Sequence, residues 1–186
     1  MQVALYSHTP FDARRPHAEG PASSHALLAR AAARYTGRTP EAFSEPARGA
    51  YGKPVFSVTP PLCFSISHSG SLWLCAMAPR EVGLDVQERR VQNTAGIARR
   101  FFHPLEQAYL EARGPDAFFQ VWTAKESVCK YRGTGIDGTF SRFSVTDGAR
   151  LLTQVEELWL TWFSPCPGYD ACLCTGEAAE LTPRPF

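Results

Sequence analysis

The chain has 186 residues, of which 44% are hydrophobic and 20% charged, the balance of a globular protein that can build its own core without disulfide staples. Nineteen Lys and Arg against eighteen Asp and Glu leave a net charge of +1, which speaks against a protein made to coat nucleic acid but leaves room for a local basic pocket. No stretch reaches the roughly 20 apolar residues of a membrane span. The opening MQVALYSHTPF lacks the basic and apolar regions of a signal peptide. The six cysteines form no C-x-x-C pair, and their apolar neighbours mark them as reduced core residues of a cytoplasmic protein.

Residues 3–6 are a short apolar run that predicts a strand, and the prolines and glycine between 10 and 22 predict a loop. Residues 23–35 have helical spacing, with Ser23 or Ser24 as cap, Leu27, Leu28, Ala31 and Ala32 as the apolar stripe, and Gly37 as the stop. A proline-rich structured loop over 38–61 carries Tyr51-Gly52-Lys53-Pro54. Strands are predicted at 62–66, 72–78 and 82–86. Helices follow at 93–102, from Pro104 onward, and at 115–131, the last ended by Gly133 and Gly135. The tail predicts strands at 140–146, 158–163 and 171–175, with the last ten residues loose. Helices and strands in this order give an α+β fold whose pattern occurs roughly twice.

Four motifs hold the polar residues of interest. In Gly83-Leu84-Asp85-Val86-Gln87, strand alternation turns Asp85 and Gln87 to one face and the apolar pair to the other. By itself this is also the pattern of a half-buried strand with a solvated face. In the segment 122–130, helical spacing places Trp122, Glu126 and Lys130 on one face with Lys125 beside them, which a surface Glu–Lys pair would also explain. Ser67 and His68 stand in Ser65-Ile66-Ser67-His68-Ser69-Gly70, next to a glycine turn whose N–H groups suit phosphate oxygens, although a turn histidine bonded to its neighbours fits equally. Lys53, between Gly52 and Pro54, sits on restricted backbone and reads otherwise as a solvated loop lysine.

Taken in order, YGKP, SISHSG, GLDVQ and WTAKES-x-x-K resemble the Sfp-type 4′-phosphopantetheinyl transferases over about residues 45 to 175. Asp85 and Glu126 stand 41 residues apart, the family's spacing, and 97–102, 142–145 and 167–169 match further family features. The resemblance implies a pseudo-dimer of two similar α+β halves, 1–82 on the coenzyme A side and 83–186 with the metal and catalytic motifs, able to act as a monomer. It implies transfer of the 4′-phosphopantetheine of coenzyme A, the co-substrate, to a serine of an acyl or peptidyl carrier protein of fatty-acid, polyketide or nonribosomal-peptide synthesis. Asp85, Glu126 and Gln87 would hold Mg²⁺, with Mn²⁺ as the alternative ion. Glu126 would also be the base, and Lys130 would hold phosphate and assist the leaving group. Tyr51, Gly52, Lys53, Pro54, Ser67, His68 and Lys125 would line the coenzyme A site.

The sequence departs from the family pattern in three ways. Gln87 stands where many members have Glu, and Ser65 where many have Asn. The amino-terminal part is shorter than in larger members, leaving Arg14, Arg15 and Arg30 as substitutes for their nucleotide-gripping basic residues. Phe101, Phe102 and Tyr109 are either a partner surface or core. A non-catalytic carrier-binding module of the same fold is the alternative function, favoured only by Gln87; a nucleic-acid-binding domain ranks last, and neither nucleic acid nor membrane is an expected partner.

Overall fold

The structure, a computed structural model, describes residues 1–12, 14, 22–43, 46–49, 52–90 and 93–186. Strand β1 (Gln2–His8) leads to helix α1 (Ser24–Thr36). The Ser23 side chain caps α1 by accepting the Ala26 N–H, and Gly37 ends it in the left-handed region at φ 71°. The expected stripe Leu27, Leu28, Ala31 and Ala32 is buried. The proline-rich stretch forms a 3-10 turn at Pro40–Ala42 and a short ribbon of β2 (Ala47–Arg48) with β3 (Pro54–Val55). A hairpin of β4 (Cys63–Ser69) and β5 (Leu72–Ala78) precedes β6 (Val82–Glu88). Helices α2 (Thr94–Phe101), α3 (Pro104–Arg113) and α4 (Ala117–Arg132) come next, then β7 (Gln154–Val155), β8 (Leu158–Phe163), β9 (Tyr169–Thr175) and β10 (Glu180–Arg184). The fold is α+β, as expected.

The strands form two four-stranded sheets, β10-β1-β5-β4 and β6-β9-β8-β7. Their edge strands β4 and β6 run side by side without a backbone ladder. Serine hydroxyls replace it: Ser65 Oγ accepts the Leu84 N–H at 3.0 Å, Ser67 Oγ the Val86 N–H at 3.2 Å, and Ser69 Oγ the Glu88 N–H at 3.0 Å. Below this seam one apolar cluster spans both sheets, with Leu72, Leu74 and Ala76 of β5 against Val82, Leu84 and Val86 of β6 and Leu173 of β9. On the other face α1 covers Trp73, Cys75 and Met77 of β5, while α4 covers Cys172 and Cys174 of β9. Cys75, Cys129, Cys172 and Cys174 are buried and all six cysteines are free thiols. Among the described residues no helix is long and apolar enough to cross a membrane.

Two sequence expectations are corrected. Residues 140–146 are not a strand. Their backbone is held by a buried ion pair: Lys125 Nζ donates to the Phe143 carbonyl at 2.8 Å and to Glu106 Oε1 at 3.0 Å, and Glu106 Oε1 accepts the Val145 N–H at 3.0 Å. With those polar groups satisfied by side chains, no strand partner is required. The last ten residues are not all loose, because β10 pairs in parallel with β1. Phe102 and Tyr109 are core residues, and the Phe101 ring packs edge-on to Phe140.

Gly83 sets the crossing of α4 over β6. A Cβ there would lie 1.9 Å from the Ser127 carbonyl oxygen and 2.5 Å from the Tyr131 nitrogen, so only glycine lets the helix backbone settle on the strand. Gly83→Ala should cost more than about 3 kcal/mol, beyond ordinary overpacking, in an equilibrium urea titration; a loss under 1 kcal/mol would refute this close approach. Lys125→Met should destabilise by about 3–5 kcal/mol in the same measurement, because it strands the Glu106 carboxylate in the core. Unchanged stability would deny the pair its structural role.

Candidate active site

Alternation along β6 puts Leu84 and Val86 into the shared core and leaves Gly83, Asp85 and Gln87 on the opposite side. Because Gly83 admits α4 so closely, Glu126 and Lys130 come to rest beside Asp85. The Asp85 side chain is only 4% exposed. Its Oδ1 accepts from Lys130 Nζ and from Ser67 Oγ, each at 2.7 Å, and its Oδ2 accepts from Gln87 Nε2 at 3.2 Å. Lys130 Nζ also reaches the Ile66 carbonyl at 3.4 Å, so one α4 side chain spans both edge strands.

Glu126 is half-buried. Burial pushes its carboxyl up to about 7, the nearby Asp85 charge adds to the rise, and Lys130 opposes it. Burial is the main cause, and the second carboxylate adds to it. The donor set suits a hard divalent ion. Among the described residues no three His, Cys, Asp or Glu cluster as a metal cage. Two carboxylates and an amide instead fit an ion of the Mg²⁺ type, which keeps water and substrate phosphate in its shell.

Two cavities meet at Gly52, Pro54 and Ile66 beside these residues. One, of about 340 Å³, is bordered by His25, Leu28 and Arg48. The other, of about 200 Å³, is bordered by Lys53, Phe64, Cys129 and Lys130. The sequence reading missed His25 and Arg48. Neither lies in a motif, and only the packing of α1 and β2 against the groove distinguishes them from other surface bases.

The remaining expected residues divide. Gly52, Lys53 and Pro54 line the groove, while Tyr51 and Arg15 lie outside the described residues. Lys53 Nζ is taken up by Glu81 and, at 2.7 Å, by the Lys130 carbonyl, so it ties this loop to the end of α4. Ser67 is 5% exposed and spends its hydroxyl on Asp85 and Val86 rather than facing the groove. His68 lies against Phe11, with ring centroids 5.2 Å apart and the planes tilted by 44°. Lys125 is not brought to the site: its side chain is wholly buried against Glu106, because its position on α4 points away from β6. Arg14 borders a separate cavity with Asp12, Glu88 and Arg90, and Arg30 another with Arg34 and Arg38.

Comparison with known proteins places this geometry. Residues 81–169 match the model of the 4′-phosphopantetheinyl transferase superfamily. A 4′-phosphopantetheinyl transferase of Bacillus subtilis is 37% identical over 123 residues, covering 64% of this chain and 54% of that protein. The 4′-phosphopantetheinyl transferase Sfp of Bacillus subtilis (strain 168) is 31% identical over 137 residues, 68% of this chain and 61% of its own length. The 4′-phosphopantetheinyl transferase AcpT of Salmonella typhi is 35% identical over 132 residues, 64% of this chain and 66% of that protein. The chain thus spans between about half and two thirds of these relatives. The segment 81–169, which holds Asp85, Glu126 and Lys130, is therefore a 4′-phosphopantetheinyl transferase superfamily segment, and the chain is a homologue of the Sfp and AcpT transferases.

Proposed function

We propose that the chain transfers 4′-phosphopantetheine from coenzyme A to a serine of an apo acyl or peptidyl carrier protein, leaving adenosine 3′,5′-bisphosphate. The observation that carries this reading is the meeting of Asp85, Glu126 and Lys130, the last of which also borders the groove. The two sheets, each with its own helical cover, support a division into two related halves, 1–82 and 83–186, except that β10 returns to the first sheet and β6 begins at Val82; coenzyme A lies in the groove at their junction. Arg48 offers positive charge for its phosphates and His25 a ring N–H, while Lys53, paired with Glu81, holds the loop that borders the groove; the protein works as a monomer in the cytoplasm.

Glu126 removes the proton from the acceptor hydroxyl. A carboxyl titrating near 7 is a stronger base than an ordinary one, and about half of it is ionised at neutral pH. The serine oxygen forms a bond to the phosphorus that carries the pantetheine, and the bridging P–O bond breaks with its electron pair going to the nucleotide phosphate. Lys130 lies where it can balance charge on that leaving oxygen. Asp85, Glu126 and Gln87 would hold Mg²⁺ or Mn²⁺, which would supply the charge neutralisation that carboxylates facing a diphosphate require.

Incubation with coenzyme A, Mg²⁺ and an apo carrier protein should raise the carrier's mass by one phosphopantetheine; binding without that gain would instead select the carrier-binding module. Glu126→Gln should lower the rate about 100-fold or more, and full activity in this variant would refute its assignment as base. The free protein should lose stability as pH rises from about 4.5 to about 7, by at most ~1.4 kcal/mol per pH unit. Over that window the unfolded state releases the Glu126 proton while the folded state keeps it. Glu126→Gln should flatten this slope in pH-resolved thermal melts.

A further inference from the structure

The serines of β4 follow a rule that the seam alone does not require. Each hydroxyl accepts the N–H of one β6 residue, and the rung register sets it beside the side chain of the residue before it. Ser67 accepts from Val86 and donates to Asp85 Oδ1 at 2.7 Å. Ser69 accepts from Glu88 and sits 3.3 Å from Gln87 Oε1 as its donor. Ser65 accepts from Leu84, and the preceding residue is Gly83, which offers no side chain. The period of two along β4 therefore matches the period of two along β6, and the serines reach the polar side chains of the GLDVQ motif one by one.

We infer that Ser67 is a positioning residue for Asp85, fixing the carboxylate so that Oδ1 is committed to the protein and Oδ2 is presented to the cation. The assignment rests on the proposed function, and it gives Ser67 a different task from the phosphate contact expected of it. A buried hydroxyl that has accepted Val86 N–H has one proton to give, and Asp85 receives it. Lys130 holds the same Oδ1 at 2.7 Å, so two donors converge on one oxygen. Oδ2 receives only the Gln87 amide at 3.2 Å, a longer bond to a side chain that can turn. Hydrogen bonds of this kind to a ligating carboxylate orient it and raise its affinity for metal.

The test uses the whole chain, with Mn²⁺ as a spectroscopic probe titrated by electron paramagnetic resonance without carrier protein. Ser67→Ala should weaken Mn²⁺ binding about tenfold. Ser65→Ala is the internal control: it removes a rung of the same seam but no bond to a carboxylate. It should lower the melting temperature comparably and leave Mn²⁺ affinity within twofold. Coenzyme A affinity measured in chelator should be unchanged in Ser67→Ala. Equal Mn²⁺ affinity in the two variants, or a Ser67→Ala defect confined to coenzyme A binding, would overturn the assignment while leaving the proposed function standing. A wild-type protein that takes up no Mn²⁺ would remove both.

Discussion

Two sheet edges meet in the middle of this molecule, and what joins them is a row of hydroxyls. The N–H groups of Leu84, Val86 and Glu88 face an edge strand that does not pair with them through its backbone, and Ser65, Ser67 and Ser69 accept all three. Buried N–H groups without acceptors would be costly, and unpaired edges invite association with other chains. The seam answers both demands at once. It also obliges the protein to keep polar side chains where the two sheets touch, on top of an apolar cluster that both sheets share. A reactive site belongs at such a junction, since it needs desolvated charge and a rigid floor together.

Charge is divided between two tasks. At the site, burial chiefly, and then the charge of Asp85, push the Glu126 carboxyl up to about 7 against the opposing charge of Lys130. One residue earlier on the same helix, Lys125 forms a pair with Glu106 that has no exposed surface. The first arrangement is short of positive charge and therefore open to a cation and a phosphate. The second is closed, with Lys125 and Glu106 each bonded to backbone groups as well as to the other. Adjacent residues of α4 thus do unlike work, Glu126 lying near Asp85 and Lys130 and Lys125 holding the 143–145 segment. Gly83 allows both by letting the helix backbone rest directly on β6.

The elements with strong periodic signals were legible from residues alone. The stripe of α1 and its Ser23 cap, the runs of β5 and β8, and the Pro104 start of α3 follow from local chemistry that does not depend on distant neighbours. Asp85, Glu126 and Lys130 were singled out by motifs that resemble the transferase family, and the structure brings the three close together. The segment 140–146 was misread because its apolar spacing is that of a strand, while its backbone partners are side chains from two helices. β10 was missed for a related reason: its pairing partner, β1, is at the other end of the chain.

Sequence by itself determined which faces of β6 and α4 the charged side chains occupy, because side-chain direction on a strand or helix is a matter of local period, while their expected roles came from the family resemblance. Only the tertiary structure decided which of them meet. It sent Lys125 into the core, brought His25 and Arg48 to the groove, and turned Ser67 toward Asp85. These outcomes depend on how two sheet edges register and on how closely a helix can approach a glycine, and such long-range geometry leaves no local mark in the order of residues.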